Sequence, residues 1–271
     1  MKKKHIFIFL VLILLIILSI IYIIGFFSSK KEAIEESNLL NTYDNYIVEE
    51  TSKEDENQTS NEEYTEIKEE VTERMLQVRK LKEENEDVVG WLEIPNTSVN
   101  YPVLQGIDNE YYITHNYKKE KSKNGSIFLD NKYDWTIPSS NLLIYGHNLN
   151  NGTMFQELLK YSSETFYIQH PKIRFTTVDE DAEYEIISVF KSRVYYNTEK
   201  DVFRYYYFIN AETEMEYNEF VENSKKASLY NIDATAQYNE QLITLSTCSY
   251  HVKDGRFVVV GKKDKLFKDD T

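Results

Sequence analysis

Cysteine is almost missing from this chain: Cys248 is the only one in 271 residues. A single thiol excludes an intramolecular disulfide framework and any C-x-x-C redox or zinc site. It leaves an inert buried thiol, an intermolecular bridge or a reactive thiol. Composition alone favours the inert reading, because free cysteine is among the most buried residue types. Basic patches with interleaved aromatics are also missing, so nucleic acid is not an expected partner. There is no internal repeat, and no cluster of metal ligands stands out, so neither a metal nor another cofactor is expected.

Apolar residues are concentrated at the start. Residues 1–29 open with Lys2, Lys3 and Lys4 and continue as an uncharged apolar run over residues 6–27. Roughly 20 apolar residues at 1.5 Å each span a hydrocarbon core, so the run is long enough to cross a bilayer. A cleaved signal would have a shorter apolar core and a small-residue cleavage site, and neither is visible. Residues 1–29 are therefore expected to form a cytoplasmic N-terminus and a single-pass anchor in the cell membrane, with the rest of the chain outside. The leading lysines favour that orientation, although Lys30 and Lys31 reduce the asymmetry. The formal charge of −14 sits mostly next to this anchor, where residues 30–87 carry 19 acidic and 8 basic side chains. A solvated, self-repelling spacer explains such a stretch better than an acidic binding face.

Residues 30–61 are polar, acidic and without a sustained period, and are expected to be a flexible stalk. From residue 62 the pattern changes. Tyr64, Ile67, Val71, Met75, Val78 and Leu81 recur at spacings of three and four, which predicts an amphipathic helix ending near Asp87. Short strand-like runs then follow: VVGWLEI, SVNYPVL, SIFLD, NLLIYG, FYIQH, KIRFTTV, the long AEYEIISVFKSRVYY, QLITLST and RFVVVGK. Eight or nine such segments over about 180 residues predict a mainly β fold, a closed or nearly closed barrel. Two helical interruptions are expected, TMFQELLKY and residues 213–228, the second with Met215, Tyr217 and Phe220 facing inward. Residues 62–271 would form the functional domain, large enough to bury a core without disulfides.

A cysteine nucleophile works as thiolate, and an ordinary thiol of pKa about 8.5 is only a few per cent ionised at pH 7. It needs a base or a positive neighbour. Among the five histidines, His5 lies at the membrane edge, and His115, His170 and His251 are possible bases. His147 has the best setting, because it follows the strand NLLIY and Gly146 and would stand at a barrel rim. His251 is three residues from Cys248, a spacing that in a strand points to the opposite face. If QLITLST and RFVVVGK are antiparallel neighbours, Arg256 lies at the same end as Cys248. A guanidinium there could hold a substrate carbonyl or a developing oxyanion. The alternative is a surface arginine paired with Asp254 or solvent.

At these residues the chain resembles a known family. TLSTC at 244–248, YGH at 145–147 and the arginine opening the next strand resemble the sortases, membrane-anchored cysteine transpeptidases of Gram-positive bacteria. Residues 88–117 and the helix at 213–228 are similar to class B sortases in particular. The resemblance implies a closed eight-stranded β-barrel with an N-terminal helical extension and a helix before the penultimate strand pair. It also implies a two-step reaction. Cys248 attacks the threonine carbonyl of a C-terminal sorting signal, NPQTN-like for class B, and forms a thioester. His147 serves as general acid and then base, and Arg256 binds substrate and stabilises the oxyanion. A peptidoglycan precursor or cross-bridge amine then resolves the thioester and joins the secreted protein to the wall. Substrate-groove positions carried over from the family are Asn109, Ile113, Tyr145, Ser246 and Thr247. The aromatic run at 194–210 falls near the expected substrate-binding loop, where core or rim packing explains it equally well.

One departure concerns the acid that some class B members carry just after the cysteine. Here Ser249 and Tyr250 stand there and the next acid is Asp254, so a Cys-His-Asp triad is not expected. A pilus-assembling sortase would use the same chemistry with a lysine side chain as acceptor; such enzymes often carry a C-terminal membrane span, whereas this sequence ends in KKDKLFKDDT. A non-enzymatic surface barrel with an inert Cys248 is the remaining alternative.

Overall fold

The computed structural model describes residues 2–39, 71–137 and 139–267. The predicted stalk from residue 40 onward, and residues 62–70 of the predicted amphipathic helix, lie outside the described residues. Helix α1 (Lys2–Ser37) contains the apolar run and is long and apolar enough to cross a membrane. It continues through residues 30–37, which the sequence reading assigns to the stalk. Lys, Glu and Ala favour helix there, and Ala33 and Glu36 are buried against the barrel. Helix α2 (Glu73–Glu84) is capped by Thr72, whose side chain accepts from the Met75 N–H. It buries Met75, Val78 and Leu81, three of the six positions in the predicted stripe.

Eight strands follow: β1 (Val88–Glu93), β2 (Asn100–Leu104), β3 (Ile127–Leu129), β4 (Asn141–Gly146), β5 (Lys172–Thr176), β6 (Asp181–Arg193), β7 (Leu242–Cys248) and β8 (Gly255–Leu266). They close into a barrel in the order β1-β2-β3-β4-β7-β8-β6-β5. Closure removes unpaired edges, and branched and aromatic side chains such as Leu143, Ile144, Phe190, Ile243 and Leu245 fill the core. The expected ninth strand, FYIQH, is instead part of helix α3 (Glu164–Gln169). Five residues are too few for periodicity to separate strand from helix. The helical turn brings the Phe166 ring within 4.5 Å of His170, four residues on, and Pro171 follows.

The segment expected as a helix at TMFQELLKY forms 3₁₀ turns over Phe155–Ser162, burying Phe155, Leu158 and Tyr161. That three-residue spacing suits a 3₁₀ helix, whose side chains at i and i+3 eclipse. Helix α4 (Glu214–Ala227) falls within the predicted residues 213–228, and it precedes the last strand pair, β7 and β8, rather than the penultimate one. Its buried stripe is Tyr217, Phe220, Val221 and Ser224, while Met215 is 74% exposed and does not face inward as expected. Met215 lies two residues before Tyr217, a spacing that puts it off the stripe.

Candidate active site

The site is made by two neighbouring parallel strands and one antiparallel neighbour. Parallel strands end on the same side, and the register pairs Tyr145 with Ser246 and Gly146 with Thr247. His147 and Cys248 therefore stand one step further along, side by side at the same rim. Antiparallel pairing of β7 with β8 places Arg256 directly opposite Cys248. These three residues line one cleft of about 360 Å³ together with Asn109, Ile113, Phe128, Tyr145, Gly146, Ser246 and Thr247. All eight positions singled out in the sequence meet there.

His147 is held by its backbone and by its ring. Gly146 precedes it in the tight space between Ile127 and Phe155; a Cβ there would come within 2.4 Å of the Ile127 side chain. The ring Nε2 lies 2.8 Å from the Ile113 carbonyl. A carbonyl only accepts, so Nε2 carries the proton and Nδ1 is the nitrogen that gains or loses one. That carbonyl is fixed in turn by Gly125, which has φ +60° and where any Cβ would lie 2.5 Å from the same oxygen. Asn148 Nδ2 donates to the Cys248 carbonyl at 2.9 Å, tying the histidine loop to the cysteine strand.

Arg256 does not pair with the Asp254 carboxylate. Its Nη1 donates to the backbone carbonyls of Asp254 and Gly255, and no carboxylate among the described residues lies within salt-bridge distance. A guanidinium has five N–H donors, so most of its capacity is free for a ligand. Ser246 and Thr247 have less to offer. Both are buried, with the Ser246 hydroxyl bonded to Tyr205 at 2.7 Å and the Thr247 hydroxyl to the Gly146 carbonyl at 2.7 Å. They shape the floor of the cleft, while half-buried Asn109 and 39% exposed Ile113 form its accessible wall.

His115, His170 and His251 have structural partners. His115 stacks on Tyr111 and His170 bonds the Pro95 carbonyl. His251 sits in the turn between β7 and β8 with its Nδ1 on the Ser249 hydroxyl, so strand alternation is not what removes it from the cleft. Burial and then the nearby charge of Lys191 lower its pKa below the usual histidine value. Ser249 and Tyr250, which follow Cys248, do not line the cleft. Of the aromatic run, none of residues 194–210 lines the cleft; only buried Tyr205 reaches its underside, through Ser246. A wider groove of about 780 Å³ between residues 201–210 and α4 contains neither cysteine nor histidine.

Sequence reasoning missed four contributors: Phe128, Asn148, Tyr205 and Asp130. The visible signal for Asp130 was a lone acid closing the apolar run IFL. It accepts hydrogen bonds from both Tyr145 and Asn109.

A family model described as Sortase domain matches residues 92–264. Sortase B of Listeria monocytogenes is 36% identical over 190 residues, covering 69% of this chain and 73% of that protein. Sortase B of Staphylococcus aureus is 33% identical over 192 residues, covering 70% and 75%. A Staphylococcus aureus sortase B–substrate complex superposes with a TM-score of 0.68 at 26% identity, covering 90% of this chain and all of that one.

Proposed function

The chain belongs to the sortase family of cysteine transpeptidases, alongside class B members, and we propose from this that it cuts a C-terminal sorting signal after threonine and transfers the protein to a cell-wall amine. The observation that carries the reading is the register that sets His147 beside Cys248 and Arg256 opposite it.

In the first step, the Cys248 thiolate adds to the threonine carbonyl and the charge moves to the oxygen. Arg256 supports that oxyanion with free N–H donors. The C–N bond then breaks, the leaving amine takes a proton from His147 Nδ1, and a thioester remains. In the second step, an incoming amine gives a proton to the same nitrogen as it attacks the thioester carbonyl. The C–S bond breaks, the thiolate is restored and a new amide forms.

Class B membership favours an NPQTN-like signal, and the likeness to a Staphylococcus aureus sortase B–substrate complex supports a substrate-binding role for this fold. Helix α1 suits a single-pass anchor that keeps the barrel at the outer membrane surface, where secreted proteins and peptidoglycan amines meet. The test is cleavage profiling of the full chain in detergent, using signal peptides varied at each position and glycine-type or lysine-type amines as acceptors. Cleavage after threonine with transfer to a cross-bridge amine supports wall anchoring. Transfer only to a lysine side chain of another protein would assign the pilus-type reaction instead.

A further inference from the structure

One charged group behind the cleft wall has no part in the steps above. Asp130 follows the last residue of β3 and is 3% exposed. No cation among the described residues lies within salt-bridge distance of it. Its carboxylate is held by three donors: the Lys132 backbone N–H on Oδ1 at 2.9 Å, and the Tyr145 hydroxyl and Asn109 Nδ2, both on Oδ2 at 3.0 Å. A buried carboxylate is costly unless such charge-assisted bonds replace water. Two of the three come from side chains that line the cleft.

A carboxylate can only accept, so both partners must donate, and this fixes what they show to a ligand. Tyr145 gives its single proton to Asp130, which leaves only lone pairs on its oxygen for the cleft. Burial and then the Asp130 charge push the Tyr145 pKa well above the usual phenol range, so the proton stays in place. Asn109 cannot flip its amide, because its Oδ1 accepts the Asn131 N–H at 2.8 Å. Its second Nδ2–H is what remains. The acceptor and the donor are no further apart than two 3.0 Å bonds to one shared oxygen allow.

We propose that Asp130 is a positioning residue of the peptide cleft, fixing Tyr145 as an acceptor and Asn109 as a donor so that the pair reads an amide group of the substrate. The inference builds on the transpeptidase reading of the cleft. Asp130→Asn is nearly the same shape but supplies N–H groups, so Tyr145 can accept from it and turn its own proton outward.

Two measurements on the detergent-solubilised full chain separate the possibilities. The first uses no substrate: the side-chain amide signal of Asn109, followed by NMR with ¹⁵N-asparagine and assigned by loss in Asn109→Ala. Asp130→Asn is expected to shift the bonded proton upfield, and an unchanged signal overturns the proposal. If Asp130→Asn does not fold, Tyr145→Phe replaces it. With Oδ2 then left to Asn109 alone, the same proton should move downfield, and a fixed signal again overturns shared anchoring. The second uses the peptide best cleaved by the wild type. Asp130→Asn should lower kcat/KM about 10-fold or more, mostly through KM, and should add under about 2-fold in a Tyr145→Phe/Asn109→Ala background. An equal loss in both backgrounds, or a loss in kcat alone, would mean a merely structural role. Should the wild type cleave no peptide at all, the transpeptidase reading fails while the amide signal still decides whether Asp130 orients Asn109.

Discussion

At the residue scale, the chemistry depends on where single protons and donors are held. His147 has its Nε2 on the Ile113 carbonyl, whereas His251 is occupied by Ser249 and lies outside the cleft. His147→Ala is therefore expected to remove turnover by at least about 100-fold with the domain still folded, and His251→Ala to change it by less than about 2-fold. Steady-state peptide cleavage with circular dichroism checks both; the reverse ranking would contradict the assignment. Arg256→Lys keeps the charge but loses the fork of donors, and should cost about 10-fold or more in acylation rate. Gly125 gives a third expectation. An alanine at φ +60° would push into the Ile113 carbonyl, so Gly125→Ala should slow turnover about 10-fold by displacing the His147 acceptor, together with a loss of stability of about 1–3 kcal/mol. Unchanged kinetics with lower stability would separate the glycine from the histidine. That Cys248, His147 and Arg256 would meet at one barrel rim was legible in the sequence, because each stands at or next to a strand end. Asp130 was not, because its importance comes from Tyr145 and Asn109, which are 15 and 21 residues away.

At the element scale, the informative unit is the parallel pair β4 and β7, which no local pattern announces. NLLIYG and QLITLST were visible as strands, but their adjacency depends on a long connection through β5, β6 and α4. The misread pieces were FYIQH, too short for periodicity to separate strand from helix, and Met215, which lies two residues off the buried stripe of α4. Docking of α2 on the barrel also depends on a distant partner. The buried Asp181 carboxylate accepts from Thr72, the cap of α2, and from Thr176 and Arg174 Nε. Burial alone would raise its pKa, yet the Arg174 bonds and charge and the two threonine hydroxyls hold it below the usual carboxylate value. Such a pair stabilises the fold above the unfolded aspartate pKa of about 3.9 and loses that contribution as pH falls through the lower folded value. Asp181→Asn should cost about 3 kcal/mol at neutral pH, and the difference from the wild type should shrink in acid. Denaturant titrations between pH 7 and 3, followed by the fluorescence of buried Trp91, would show converging curves; parallel curves would contradict the role given to this carboxylate.

At the scale of the whole molecule, an apolar helix long enough to cross a bilayer precedes a closed barrel with its cleft on one rim. The apolar helix and the β-rich barrel could each be read from hydropathy and turn spacing. The continuation of α1 into residues 30–37 and its seat on the barrel could not, because those contacts involve Asn100, Asn116 and Asn124, far along the chain. The lone cysteine gains a reason at this scale as well: with the barrel outside the cytoplasm, as proposed, a second thiol could trap the nucleophile as a disulfide. The most direct test is intact-mass spectrometry of the full chain incubated with a sorting-signal peptide and no amine acceptor. A thioester adduct with the mass of the peptide up to its threonine, released by an added amine and absent from Cys248→Ala, is the expected result. No adduct across a broad peptide library, with Cys248 also inert to a small thiol reagent, would contradict the account.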